Sequence, residues 1–197
     1  MNPENARNAS LTERKRRRAK DAIRQAALEL FTERGYDAVS VTDIAERAEV
    51  GRTTFFRYFG DKQEVLFADS ERDSEETVGG SGIQAEPIGS SMAAAIDEVR
   101  RLVVSYVEHI TADVDAYDRH QRLIKGQPEL YARSLVKHRS YADRLSTQLE
   151  SLGADPPVAR QAAETGLACF YVAQATANDD PRILARHVSS AFDRLAT

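Results

Sequence analysis

The 197-residue chain contains no tryptophan and only one cysteine, Cys169. A single cysteine excludes an internal disulfide and a cysteine-based zinc cluster, which is typical of proteins from a reducing compartment. No apolar run approaches the roughly 18 residues that a membrane span needs. The first ten residues also lack the apolar segment of a secretory signal. We therefore expect a cytoplasmic protein with no membrane segment.

Charge is distributed unevenly along the chain. Residues 1–62 carry 13 Lys and Arg against 10 Asp and Glu, whereas the remainder carries 14 against 21. The basic part is concentrated in five consecutive residues, Arg14, Lys15, Arg16, Arg17 and Arg18. A basic end on an acidic protein indicates contact with a polyanion at that end, although a solvated helix terminus would show the same run.

Apolar residues recur with a helical period through most of the sequence. Ile23, Ala27, Leu30 and Phe31 fall on one face of a helix predicted over residues 11–34, and Gly35 is suited to end it. Residues 78–91 are rich in glycine, serine and proline, as in a loop or linker. Because no stretch alternates with a period of two, we predict an all-α fold of about nine helices.

Residues 41–60 have the layout of a helix-turn-helix, in which two short helices cross through a tight turn. Ser40 and Asp43 form a predicted capping box at the start of the first helix. Ala45 supplies the small residue at the crossing, and Phe55 anchors the second helix inward. The outer face of that second helix then carries side chains suited to phosphates and base edges, namely Arg52, Thr53, Thr54, Arg57 and Tyr58.

The segment VSVTDIAERAEVGRTTFFRYFGDKQEVL resembles the DNA-binding signature of the tetracycline-repressor (TetR) family, and ALELFTERGYDAVS before it matches that family's first helix. The resemblance covers residues 12–67. It implies an all-helical homodimer with an N-terminal helix-turn-helix domain and a C-terminal domain for a small effector and dimerisation. The expected divisions are a disordered stretch at 1–10, a DNA-binding domain at 11–75, a helix end and linker at 76–91, and the effector domain at 92–197.

Site residues follow from the resemblance by position. Arg52, Thr53 and Thr54 are expected to meet base edges and nearby phosphates of double-stranded DNA, with Arg57 beside them on the exposed face. Tyr58 and Lys62 are expected to contact phosphates, and Ser40 and Thr42 the flanking backbone. The basic run from Arg14 to Arg18 is expected to reach phosphates or the minor groove.

Two positions depart from the family pattern. Glu49 stands where the family usually has glycine in the turn, so a left-handed backbone there would be strained by about 1–2 kcal/mol. Phe56 stands where the family usually has a tyrosine whose hydroxyl reaches a phosphate. That hydrogen bond is lost, and we interpret Phe56 mainly as a packing residue.

The C-terminal region is similar to a group of TetR-family proteins that includes the mycofactocin-biosynthesis regulators, some of which respond to acyl-CoA-type ligands. Tyr106, His109 and Tyr171 are candidate effector-binding residues, although ordinary helix packing would give the same pattern. The last two predicted helices, 157–177 and 181–196, are expected to form the dimer interface unless they pack only within one chain. The candidate interface residues are Ala162, Gly166, Ala173, Leu184, Val188 and Ala191.

The sequence favours a ligand-responsive repressor that binds a palindromic operator as a homodimer. No phosphate-binding loop, zinc-protease motif or nucleophile elbow supports an enzyme, and we expect no catalytic residues and no cofactor. The four histidines lack the i, i+4 spacing of a metal pair, so we expect no metal. A helical adaptor protein with a degenerate DNA-binding domain remains the alternative.

Overall fold

The computed structural model describes residues 3–67, 87–178 and 180–195, with side chains from residue 14 onward. Over this part of the chain the fold is all-α, as predicted, and its only bridge between extended residues joins Gly89 to Ala154. A helical turn at residues 64–67 adds to eight longer elements. These are α1 (Pro3–Arg34), α2 (Val41–Arg47), α3 (Arg52–Tyr58), α4 (Met92–Ile110), α5 (Val114–Gly126), α6 (Pro128–Ser151), α7 (Pro156–Thr176) and α8 (Pro181–Asp193).

The chain divides into two compact units, Met1–Ala68 and Asp69–Thr197. The end of the helix after Asp61 and most of the predicted linker, residues 68–86, lie outside the described residues. Helix α1 begins at Pro3, eight residues before the predicted start, and so includes most of the stretch expected to be disordered. Proline is well suited to the first turn of a helix, because its missing N–H has no helical partner there.

The first unit is organised around the apolar face of α1. Ile23, Ala27 and Leu30 are almost completely buried, and Phe31 packs against Tyr36 with ring centroids 5.0 Å apart. Gly35 ends α1 with a φ of 81°, as the sequence predicted, and its N–H donates to the Phe31 carbonyl. The periodic residues of α1 therefore form the surface on which α2 packs, and α3 packs in turn on α2.

The second unit packs around α7, which contacts α4, α6 and α8. The closest approach is at Gly166. A Cβ added there would lie 2.3 Å from Cγ1 of Val99 on α4, so only glycine fits. Cys169, on the same helix, is buried and behaves as a small apolar residue, with the pKa of its thiol raised by burial.

The residues predicted to form the dimer interface are core residues of a single chain. All six are buried, with Gly166 packed on Val99 of α4 and the others at most 6% exposed; they are Ala162, Gly166, Ala173, Leu184, Val188 and Ala191. The small residues of α7 do permit close helix contact, but the contacting helix belongs to the same chain. A second subunit could therefore not reach these side chains without opening the core, and this part of the sequence interpretation is corrected.

Candidate nucleic-acid interface and ligand cavity

Helix α2 starts with a complete capping box. The Ser40 N–H donates to Oδ2 of Asp43 at 2.8 Å, and the Asp43 N–H donates to Oγ of Ser40 at 3.2 Å. The Ser40 hydroxyl also contacts the Asp43 carboxylate, and these bonds hold the pKa of Asp43 below its usual range. The hydroxyl that was expected to meet the DNA backbone is thus engaged in fixing the start of α2, while Thr42 is half-buried in its first turn.

The turn between α2 and α3 passes through a left-handed residue. Glu49 has a φ of 54°, the conformation that glycine adopts without strain, and its side chain is exposed. The Val50 N–H donates back to the Ala45 carbonyl at 2.9 Å, which closes the turn around the small residue at the crossing. The predicted strain at Glu49 is therefore present in the backbone.

Helix α3 is anchored on one side and exposed on the other. Phe55 is completely buried and Phe59 is 2% exposed, with ring centroids 5.8 Å apart. Arg52, Thr53 and Arg57 are exposed on the opposite side. This arrangement presents cationic and hydroxyl groups on a helix whose orientation is fixed by two phenylalanines.

The remaining positions of α3 lie at the edges of this exposed side. Thr54 and Tyr58 are half-buried, and Nη2 of Arg57 donates to the Tyr58 hydroxyl at 3.1 Å. Phe56 is 48% exposed and touches Phe55 edge-on, so its interpretation as mainly a packing residue is wrong. An exposed ring on this helix is suited to apolar contact, for example with a thymine methyl group.

Lys62 is tied to the loop between α1 and α2. Its Nζ donates to the carbonyls of Tyr36 and Val39 at 3.0 and 3.2 Å, and it lies 4.1 Å from the centroid of the Tyr36 ring. An ammonium group has three donors, so one remains for the phosphate contact expected from the sequence. Asp61 caps the helical turn at residues 64–67, because its carboxylate accepts a hydrogen bond from the Glu64 N–H at 2.8 Å.

The basic run is exposed along α1. The five side chains all face solvent, and they precede the first described core residue of this helix, Ile23; they are Arg14, Lys15, Arg16, Arg17 and Arg18. Because five consecutive residues go more than once around a helix, they surround it with positive charge rather than forming one stripe. A rod with this charge distribution can approach a polyanion from several directions.

Exposed ion pairs join α1 to α2. Nη2 of Arg47 lies 2.9 Å from a Glu33 carboxylate oxygen, and Nη1 lies 3.4 Å from Glu29. The hydrogen bond from Arg47 lowers the pKa of Glu33. These ion pairs orient α2 on α1. Because they engage the Arg47 guanidinium within the first unit, we assign Arg47 no contact with DNA.

In the second unit, residues of α4, α6 and α7 line a small apolar cavity. Of the predicted effector residues, Tyr106 lines this cavity, whereas His109 is exposed on α4 and Tyr171 lies at the surface beside His138. The sequence interpretation missed His138, which lines the cavity on α6. The available signal was its spacing, because His138, Tyr141, Ala142 and Leu145 share one helical face.

Within the described residues, no group of three or more His, Cys, Asp and Glu side chains is arranged to hold a metal ion. Among the same residues, no helix combines the length and the apolar character required to cross a membrane. The buried anchors of α3, its exposed polar side and the closed turn before it define a helix-turn-helix protein with an additional helical unit.

Comparison with known proteins identifies the family. Residues 23–68 match the family described as bacterial regulatory proteins, tetR family. The chain is 32% identical over 139 residues to the HTH-type transcriptional regulator TcmR of Streptomyces glaucescens, a match that covers 69% of this chain and 61% of TcmR. The helix-turn-helix of this chain is thus of the tetR type.

Two further matches extend beyond the helix-turn-helix. A Mycobacterium tuberculosis protein named as a mycofactocin biosynthesis transcriptional regulator, MftR, is 26% identical over 121 residues, covering 61% of this chain and 59% of MftR. The chain thus spans about three-fifths of the length of these curated relatives. The crystal structure of Thermus thermophilus FadR in complex with lauroyl-CoA is 22% identical, covers 90% of this chain and 93% of FadR, and has a TM-score of 0.52, which shows a shared fold.

Proposed function

We propose that this protein is a ligand-responsive transcriptional repressor that binds a palindromic DNA operator as a homodimer. The observation that carries the proposal is the exposed polar side of α3, anchored from behind by Phe55 and Phe59. Two such helices related by a two-fold axis would enter successive major grooves, so the spacing of half-sites would follow the geometry of the dimer. Its place of action would be the cytoplasm.

A homodimer is supported by an exposed and uncharged strip on α7. In a chain with 29% charged residues, five positions along this side of the helix carry no charge: Gln161, Thr165, Ala168, Val172 and Thr176. Val172 is 47% exposed. Gln161, Ala168 and Val172 are exposed, so a second copy could cover this side of α7 without disturbing the core of either chain.

Regulation would act through the cavity in the second unit. A ligand changes the population of two conformations only if it binds one of them more tightly. We expect an effector that prefers a form of the dimer whose recognition helices no longer match two major grooves. Titrating effector into the protein–operator complex would then release DNA.

The decisive experiment is selection of binding sites from random DNA duplexes, followed by fluorescence anisotropy on the selected sequence at several salt concentrations. We expect a palindromic site whose affinity falls steeply as salt rises, because Lys and Arg contacts to phosphate release counterions. Absence of any selected sequence would instead favour a helical adaptor protein.

Two variants test the assignment of roles. Arg52→Ala should relax sequence preference at one position in each half-site, whereas Lys62→Ala should weaken binding to all duplexes by a similar factor. Because Lys62 also donates to two carbonyls, the folded fraction of each variant is checked by thermal unfolding. The reverse pattern of specificity and affinity would contradict the assignment.

A further inference from the structure

Helix α3 carries one large apolar side chain on its exposed side. Phe56 is 48% exposed, whereas the other four phenylalanines within residues 1–67 are at most 4% exposed. Among the described residues of the first unit, no other large apolar side chain is exposed to this extent. The ring of Phe56 therefore remains available for a contact outside the first unit.

The core holds this ring from one side. The centroids of Phe55 and Phe56 lie 5.6 Å apart, and the two ring planes meet at 84°. Phe55 is completely buried and packs on Phe59, so it gives Phe56 a fixed neighbour. Edge-on contacts of this kind are a favourable arrangement of two rings. Because the ring is already supported, less side-chain freedom is lost when its exposed part meets a partner.

Positive charge on both sides of the ring indicates the kind of partner. Arg52 lies one helical turn before Phe56, Arg57 follows it directly, and both arginines are exposed. Helix α3 contains no acidic residue. A surface with two guanidinium groups and no carboxylate is complementary to a polyanion rather than to the apolar surface of another protein. Under the proposed function this polyanion is the operator DNA.

The chemistry of the ring restricts which part of DNA it can contact. A phenyl group has no hydrogen-bond donor or acceptor, and packing it against a phosphate would remove water without returning a hydrogen bond. In the major groove, the apolar group that a base presents is the C5-methyl group of thymine. Thr53 lies three residues before Phe56 and is therefore its neighbour on the helix, where it offers a second methyl group.

We propose that Phe56 is a specificity-determining residue, whose ring packs against the C5-methyl group of one thymine in each half-site of the operator. The inference rests on the proposed function and adds to it the identity of one base. It gives α3 an apolar contact with DNA beside the polar contacts expected of Arg52 and Thr53. Phe56 would thus distinguish thymine from cytosine without forming a hydrogen bond.

The position of Arg52 predicts where this thymine lies. One turn of an α-helix rises about 5.4 Å, and neighbouring base pairs are about 3.4 Å apart. An arginine in the major groove typically reads guanine through two hydrogen bonds. We therefore expect the thymine contacted by Phe56 within two base pairs of the position whose preference is relaxed in Arg52→Ala.

The test replaces each thymine of the selected operator with deoxyuridine, one symmetric pair of positions at a time. This change removes only the C5-methyl group and leaves the hydrogen-bonding edge of the base intact. Fluorescence anisotropy with the full-length protein should show one position at which affinity falls about fourfold per half-site, the factor expected for one buried methyl group. In Phe56→Ala the same replacement should change affinity less than twofold.

Two further variants separate the apolar contact from other effects. Phe56→Leu keeps an apolar side chain and should retain part of the preference for thymine over deoxyuridine. Arg57→Ala should weaken binding to both duplexes while leaving their ratio unchanged. Thermal unfolding checks that each variant is folded. An equal effect of deoxyuridine in the wild type and in Phe56→Ala would overturn the proposal, because the methyl group would then act through DNA shape.

Failure of this inference can be distinguished from failure of the proposed function. If the wild type selects no DNA sequence, the repressor is contradicted, and the role of Phe56 with it. If it selects a palindrome in which no thymine methyl group depends on Phe56, only the role of Phe56 is contradicted. A Phe56→Ala protein that binds all duplexes more weakly by the same factor would place the ring against the sugar–phosphate backbone and would also refute the proposal.

Discussion

At the scale of single residues, Glu49 shows how a local departure from the family pattern appears in the backbone. Its φ of 54° lies in the left-handed region, where a residue with a β-carbon is strained and glycine is not. Because the side chain is exposed, little packing is lost by removing it. We expect Glu49→Gly to raise the melting temperature of the first unit by several degrees, since relief of about 1 kcal/mol has that effect in a small domain. Differential scanning calorimetry measures the shift.

The matched control for this change is Glu49→Ala. It removes the carboxylate but keeps the β-carbon, so the backbone strain stays and the melting temperature should not rise in the same way. Binding of the selected duplex by Glu49→Gly should be retained, because the turn keeps its conformation. A clear loss of stability in Glu49→Gly would show that the left-handed turn is not strained.

His138 makes a second prediction at this scale, on the dependence of stability on pH. Its pKa is about 4 in the folded protein and about 6.5 when exposed, so the unfolded chain takes up a proton first as the pH falls. The contribution of the neutral His138 to the free energy of unfolding is therefore fully present above pH 6.5 and is lost progressively down to pH 4. Urea unfolding should show a loss of about 2 kcal/mol between pH 7.5 and pH 5 from this group.

In His138→Phe this loss should largely disappear, whereas His109→Gln should follow the wild type. The charge of His120 lowers the pKa of His138 further, and burial raises the pKa of Tyr171, whose ring lies edge-on to His138. The carboxylates with lowered pKa values, such as Glu33 and Asp43, release their contribution only below pH 4.5. Equal pH dependence in His138→Phe and the wild type would argue against a buried neutral imidazole.

At the scale of helices, Gly166 determines how closely α7 approaches α4. A β-carbon at this position would overlap Cγ1 of the buried Val99. We expect Gly166→Ala to destabilise the second unit by about 1–3 kcal/mol, the usual effect of overpacking a core. Chemical denaturation measures this loss.

Two further variants show whether that loss comes from the contact between α7 and α4. Gly126→Ala, where an added β-carbon meets nothing within 4 Å, should change stability little. The double variant Val99→Ala with Gly166→Ala should be less destabilised than the sum of its two single changes, because the added methyl group enters the space that valine leaves. Additive losses would mean that α4 and α7 are not in direct contact at this point.

The positions of the helices could be predicted from the sequence, but the surface that each helix packs against could not. Apolar spacing and caps are local properties, so the capping box of Ser40 and Asp43 and the end of α1 at Gly35 could be read directly. The stripe of small residues on α7 has the same pattern whether it meets its own chain or another. Only the packing of Gly166 on Val99 decides between these cases.

The two candidate sites, the exposed side of α3 and the cavity, also differ in how far the sequence could predict them. Exposure of Arg52 and Arg57 follows from the burial of Phe55, because positions on a short helix are related by its period. The cavity could not be located from spacing, since its walls come from three separate helices whose packing the sequence does not give. Tyr106 was identified among them, while the more informative His138 looks like any polar residue on an amphipathic helix.

At the scale of the whole molecule, charge and dimerisation together determine how DNA would be bound. The excess of positive charge within residues 1–62 and of negative charge in the remainder would direct a polyanion to the first unit. A palindromic operator further requires two copies at a fixed separation. If the two copies meet through the uncharged strip on α7, a change in that strip should therefore alter DNA affinity as well as oligomeric state.

We expect Val172→Glu to separate the dimer, because it places a charge within that strip at a position that is 47% exposed. Val136→Glu is the matched control, at a position 68% exposed on the outer side of α6. Analytical ultracentrifugation should show a monomer for the first variant and a dimer for the second, with equal melting of the helices by circular dichroism. Affinity for the palindrome should fall at least tenfold only in Val172→Glu, since each half-site would then bind alone. A Val172→Glu protein that remains dimeric would place the interface elsewhere on the second unit.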